Sequence, residues 1–142
     1  MTRAQPTVLL LHTTSQGRHH DWFIGDPRQA GMADARLWTA RVAHASRHWA
    51  RLGRFALTPL PPHRRHYLRY QGPISGGRGS VQRVDAGWVI PLLWTESRIV
   101  LDVHLRMFCG RIELRRVHDQ RWEAFCPREA AEPGSADRRI QY

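Results

Sequence analysis

Apolar residues in the last third of this 142-residue chain recur at every second position, and that spacing restricts the fold more than any other feature of the sequence. Ile99, Leu101, Val103 and Leu105 alternate with Arg98, Val100, Asp102 and His104, and Ile112 and Leu114 alternate with Arg111, Glu113 and Arg115. Successive strand side chains point to opposite faces, so a period of two describes strands with one face buried. A polar break at His118-Asp119-Gln120 leads to another such run, in which Trp122, Ala124 and Cys126 share a face. These three segments read as an antiparallel meander. Earlier runs have the same character: Thr7 to His12, Arg36 to His44, Arg54 to Leu60, Ser80 to Asp85 and Trp88 to Leu93.

Between the runs stand turn formers. Gly25 to Ala35 reads as a loop, Ser46 to Leu52 as one helical turn or a wide loop, and Ala86-Gly87 as a turn. Pro59, Pro61 and Pro62 are expected to stop the strand before them, because proline donates nothing to a ladder. His63 to Arg69 reads as a strand with His63, Arg65, Tyr67 and Arg69 on one side. Gly72 to Gly79 reads as a plain turn or an anion-binding nest. About eight short strands with almost no helical period predict an all-β fold, a sandwich or, as we expect, a small closed antiparallel barrel. The barrel is expected to occupy residues 1–126, and the polar residues 127–142 to form a flexible tail. The six tryptophans are expected in the core and at its rim.

One stretch could assemble a reactive site. If Thr7 to His12 is a strand and Thr13 to Arg18 a polar turn, the return strand sets His19 opposite His12, with Asp21 on the same face. Two imidazoles and a carboxylate suit a divalent metal; the same residues also read as solvated histidines at a strand end. A one-residue slip would exchange His19 for His20. We expect the cluster at a mouth or on the inner face of the barrel.

Charge points to a partner. The formal net charge is +10, and every basic side chain is an arginine, whose planar fork matches phosphate. A polyanion such as nucleic acid is the natural ligand. The only early apolar run is too short for a signal-peptide core or a membrane span, so a cytoplasmic protein with no membrane association is expected. Cys109 and Cys126 form no C-x-x-C pair and are expected to be reduced, buried thiols.

The ordered set Leu10-Leu11-His12, His19-x-Asp21, Leu37 to Val42, His63-x-x-x-Tyr67-Leu68-x-Tyr70-x-Gly72-Pro73-Ile74, Gly79-Ser80-Val81 and Asp85-x-Gly87 resembles the 3′-phosphoesterase module of bacterial end-joining DNA ligase D. Arg98 to Leu105, Gly110-Arg111 to Val117 and Trp122 resemble its closing strands, so the likeness covers residues 7–126. It implies a small β-barrel that trims DNA 3′ ends in end repair. With Mn²⁺, or with Zn²⁺ or another divalent ion in its place, the module removes a terminal ribonucleoside and then the 3′-phosphate. The resemblance assigns His12, His19 and Asp21 to the metal, His63 to the reacting phosphate, and Tyr67 to the phosphate site, with Arg54 near a basic phosphate-binding position. Phe23 stands where the family carries an arginine, a role open here to Arg18, Arg41 or Arg78. The implied partners are DNA 3′ ends, some containing RNA, and a separate DNA ligase or repair polymerase, and the protein itself is expected to be a monomer. A nucleic-acid-binding barrel without catalysis is the alternative.

Overall fold

The computed structural model describes residues 3–127. Its strands are β1 (Gln5–Thr14), β2 (Gly17–Gly25), β3 (Arg36–Val42), β4 (Arg54–Arg64), β5 (Gly72–Pro73), β6 (Ser80–Trp94), β7 (Arg98–Leu105), β8 (Cys109–His118) and β9 (Arg121–Phe125). All pairings are antiparallel, in the order β1-β2-β3-β4-β9-β8-β7-β6, and β6 pairs back onto β1 to close a barrel of eight strands. The short β5 pairs with the start of β6. Helix is confined to 3-10 turns and α1 (Trp49–Leu52), which follows the turn Ser46–His48. The barrel expected from the alternation is the fold observed.

Alternation fills the interior from every wall. Leu9, Trp22, Ala40, Leu57, Val89, Val103, Ile112 and Ala124 belong to one continuous core with Trp49 of α1. At the 25 cal/mol per Å² typical of apolar burial, each of the larger side chains contributes roughly 1.5–3 kcal/mol. The carboxylate of Asp85 fastens α1's approach to the barrel: it accepts from Ser46 Oγ at 2.6 Å, from the amides of Ala86 and Arg106 at 2.8 Å, and from the amide of Met107 at 3.0 Å.

A second, smaller core lies on the outside. Val8, Leu10, Phe23, Leu37 and Val81 point outward from neighbouring strands and are covered by Tyr67, Leu68, Tyr70 and Ile74. The segment from Arg65 to Gly79 therefore acts as an external flap, packed on the barrel wall.

Four local expectations are corrected. β4 runs on to Arg64 through all three prolines, because β9 pairs only with Arg54 to Leu57 and the rest of β4 has β3 alone as a neighbour. An edge strand tolerates residues that cannot donate. His63 to Arg69 is not a strand: β4 ends at Arg64 and Arg65–Leu68 is a 3-10 turn. Ala86-Gly87 is not a turn but the middle of the fifteen-residue β6. Gly87 pairs with Thr7 on one side and Leu105 on the other, and a Cβ there would lie 1.8 Å from the His104 carbonyl oxygen. Finally, Cys126 is buried but Cys109 is exposed, and both are free thiols.

Trp22, Trp49 and Trp122 are buried as expected, whereas Trp88 is 51% exposed and stacks on His104. No helix among the described residues is long and apolar enough to cross a membrane. The expected C-terminal tail, apart from Pro127, lies outside the described residues.

Two outcomes test this packing. Gly87→Ala should cost about 3 kcal/mol in denaturant unfolding, since the clash is with backbone that two ladders hold in place. Burial pushes the Cys126 thiol up to about 11, so iodoacetamide at pH 8 should modify Cys109 in the folded protein and reach Cys126 only after denaturation.

Candidate metal centre

The register of the first hairpin decides what meets on its outer face. β1 and β2 pair His12 with His19, Leu10 with Asp21 and Val8 with Phe23, joined by a tight turn at Ser15-Gln16. Thr13, Thr14, Gly17 and Arg18 are paired as well, so the polar turn is shorter than the sequence suggested. His12, His19 and Asp21 share the face opposite to Leu9 and Trp22. The cluster thus sits on the outside of the barrel wall rather than at a mouth or inner face, and the external flap encloses it.

The three side chains converge. His12 Nδ1 lies 3.2 Å from His19 Nε2 and 3.3 Å from Asp21 Oδ2, and His19 Nε2 lies 3.2 Å from Asp21 Oδ1. One donor atom from each falls within 4.8 Å of the others. His12 Nε2 lies 2.7 Å from the Arg78 carbonyl oxygen. A carbonyl only accepts, so this nitrogen carries the proton and Nδ1 presents its lone pair to the cluster when the ring is neutral. A backbone carbonyl behind a ligating histidine is the usual means of fixing its tautomer.

Without a cation the cluster is short of positive charge. Asp21 is 5% exposed, and its Oδ1, though close to His19, has no aligned hydrogen-bond donor. Burial raises the Asp21 carboxyl above its ordinary range, against the opposing pull of His19, His12, Arg41 and His63. Burial also lowers His19, with Asp21 drawing it the other way. Two imidazole nitrogens and a carboxylate with an orphaned buried oxygen fit a divalent ion of the Mn²⁺ or Zn²⁺ type.

The cluster opens into a cavity of about 80 Å³ lined by His12, Asp21, Phe23, His63, Tyr67, Ile74, Arg78 and Val81. That is room for two or three water-sized groups at about 30 Å³ each. His63 and Tyr67 reach it because β4 extends past its prolines and then turns. His63 Nδ1 donates to the Pro61 carbonyl at 2.6 Å, leaving Nε2 as its free nitrogen. The Phe23 ring forms the floor, stacked under Tyr67 at 5.7 Å and meeting His63 edge-on at 5.5 Å. Arg78 is held by Ser75 through Nε at 2.8 Å, and Arg41 stands opposite Asp21 in the β2–β3 ladder.

Of the residues singled out from the sequence, His12, His19, Asp21, His63, Tyr67 and Arg78 are therefore brought together. Arg54 is not. It begins β4 while His63 lies near the other end, about 30 Å along the strand, and it is paired with Glu123 and stacked over Phe125. His20 and Arg18 line a cavity on the other face of the hairpin. Phe23, two residues from Asp21 on the same strand face, takes its place in the floor by that parity.

Compared with protein-family models and with curated proteins, the sequence matches none of either.

A carboxyl raised by folding makes the native state bind more protons than the unfolded one, so stability falls as pH rises from about 3.8 through the raised value. The lowered His19 acts oppositely, losing stability as pH falls below about 6.5. Asp21→Asn in chelator should therefore melt at or above the wild-type temperature near neutral pH. Added Mn²⁺ at about 100 times its Kd should stabilise wild type by about 2.7 kcal/mol and leave Asp21→Asn unmoved.

Proposed function

We propose that the protein is a divalent-metal-dependent phosphoesterase acting on the 3′ ends of DNA, removing a terminal ribonucleoside or a 3′-phosphate during end repair. The observation that carries this reading is the convergence of His12, His19 and the orphaned Asp21 carboxylate at a small cavity bordered by His63, Tyr67 and Arg78. Binding alone calls for no such set. The ordered motifs that resemble the ligase D module support the 3′ end as substrate.

His12, His19 and Asp21 would hold a divalent ion, which would supply charge neutralisation at the phosphoryl oxygens and a bound water of lowered pKa. The residues do the rest. Asp21 and the two imidazoles set the position of the reacting group against the Phe23 floor. His63, anchored through Nδ1, presents Nε2, which in the protonated ring donates to the phosphate or gives its proton to the leaving oxygen. Tyr67 and Arg78 at the cavity wall hold non-bridging oxygens. Arg41, across the ladder from Asp21, adds positive potential beside that carboxylate.

One observation favours the second reading, a nucleic-acid-binding barrel without catalysis. Phe23 is 1% exposed and packed against Tyr67, so the family's cation is replaced by an apolar surface.

A time course on a labelled primer–template ending in a 3′-phosphate or a single 3′-ribonucleotide separates the two. With Mn²⁺ the end should become a 3′-hydroxyl, chelator should stop the conversion, and Asp21→Ala should abolish it. His63→Ala should slow turnover by about 100-fold or more and leave Mn²⁺ binding in place. A substrate that binds but stays intact with every divalent ion establishes the binding module instead.

A further inference from the structure

A second, wider cavity lies behind the His12–His19–Asp21 cluster, on the inner face of the same hairpin. Leu11 and His20 pair directly across β1 and β2, next to the His12–His19 pair but facing the opposite way. With residues 43–48, Val84 and Met107 they bound a space of about 710 Å³, within the range of roughly 300–1,000 Å³ usual for small-molecule sites. The ligase D likeness assigns nothing there.

Its chemistry is one-sided. Arg18, Arg47, His20, His44 and His48 line it, and no carboxylate does. The His48 ring is caught between two guanidiniums: Arg47 Nε lies 3.1 Å from Nε2 and Arg51 Nη2 lies 3.1 Å from Nδ1. A neutral imidazole has one accepting nitrogen, so one of these cationic donors is left facing an N–H. His20 Nδ1 is buried and has no hydrogen-bond partner. Asp85, behind Ser46, forms no salt bridge with these cations; its oxygens accept from Ser46 Oγ and three amides. Those same bonds join the Ser46 and Met107 sides of the cavity into one rigid frame. The opposite wall is apolar: Leu11, Val84 and Met107, the last two 39% and 55% exposed at the rim.

We propose that this cavity is a second binding site, for a nucleotide unit. Its phosphate would meet Arg18, Arg47 and His20, while its base lies on the apolar wall among the imidazole faces. The shared chemistry is a phosphate on a planar body, supplied by a free mononucleotide or by an unpaired nucleotide of a nucleic-acid strand that crosses the hairpin.

Titration calorimetry of the full chain in EDTA, with dTMP, inorganic phosphate and an eight-residue oligo(dT) as probes, tests the site without metal at the outer cluster. Arg18→Ser/Arg47→Ser removes two exposed side chains, and Met107→Glu places a carboxylate on the apolar rim. Binding of dTMP weakened about tenfold or more by each variant supports the site with a free nucleotide as ligand. The same losses seen with oligo(dT) alone support it with a strand as ligand. Absence of binding by either probe at millimolar concentration overturns the proposal. So does binding that both variants leave intact, or that Asp21→Asn weakens as much as they do.

Discussion

The pairing of His12 with His19 is the constraint from which the rest of the molecule follows. In an antiparallel hairpin each register assigns every side chain to one face, and a slip by one residue reverses the whole assignment. Here the register places Leu9 and Trp22 in the barrel core and gathers two imidazoles and a carboxylate outside it. A buried polar relay fixes it. Trp22 Nε1 donates to Thr7 Oγ1 at 2.8 Å, and Thr7 Oγ1 donates to the Phe23 carbonyl at 2.7 Å. Any slip would leave these groups unpaired in the interior, at a cost of about 1–3 kcal/mol each. The outer cluster is thus held in place by interactions on the inner face, which the chemistry of the cluster never touches.

A histidine cluster on the outside of a barrel would ordinarily face bulk water. The external flap changes that. By laying Tyr67, Leu68 and Ile74 over Val8, Leu10 and Phe23, it buries Asp21 on a wall that would otherwise be solvated. Burial of the carboxylate destabilises the metal-free fold, and the small outer core offsets it. Phe23 belongs to that balance: an arginine in its place would put a cation at a position now 1% exposed and stacked under an aromatic ring. Positive charge is carried instead by Arg41 and Arg78, at the edges of the site.

Much of this was readable from residue order. Period-two alternation gave the strands, and hairpin arithmetic alone set His12 against His19 with Asp21 beside them. What escaped was non-local. The prolines of β4 stop a strand only when both edges are paired, and nothing in the local sequence says that β9 reaches no further than Leu57. Alternation over His63 to Arg69 imitates a strand, yet the segment turns as a 3-10 helix and so lays Tyr67 over Phe23. Gly87 reads as a turn because its real cause, the close approach of His104, lies on another strand. Arg54 was an arginine near the right motif until Glu123, distant in sequence, proved to be its partner.

The same partnering shows where the positive charge acts. On the far wall carboxylates cancel part of the positive charge: Arg98 and Arg115 share Glu113, Arg111 pairs with Asp102, and Arg54 and Arg121 share Glu123. Among the described residues no salt bridge to a carboxylate involves Arg18, Arg41, Arg47 or Arg78 around the first hairpin. Exposed pairs contribute little to stability, about 0–1 kcal/mol each, but they cancel field. A surplus spread evenly over a surface attracts a polyanion without orienting it, whereas one left uncancelled at a single end draws the ligand there. The acidic residues of β7, β8 and β9 therefore serve the hairpin from a distance, by removing competing charge from the opposite side of the barrel.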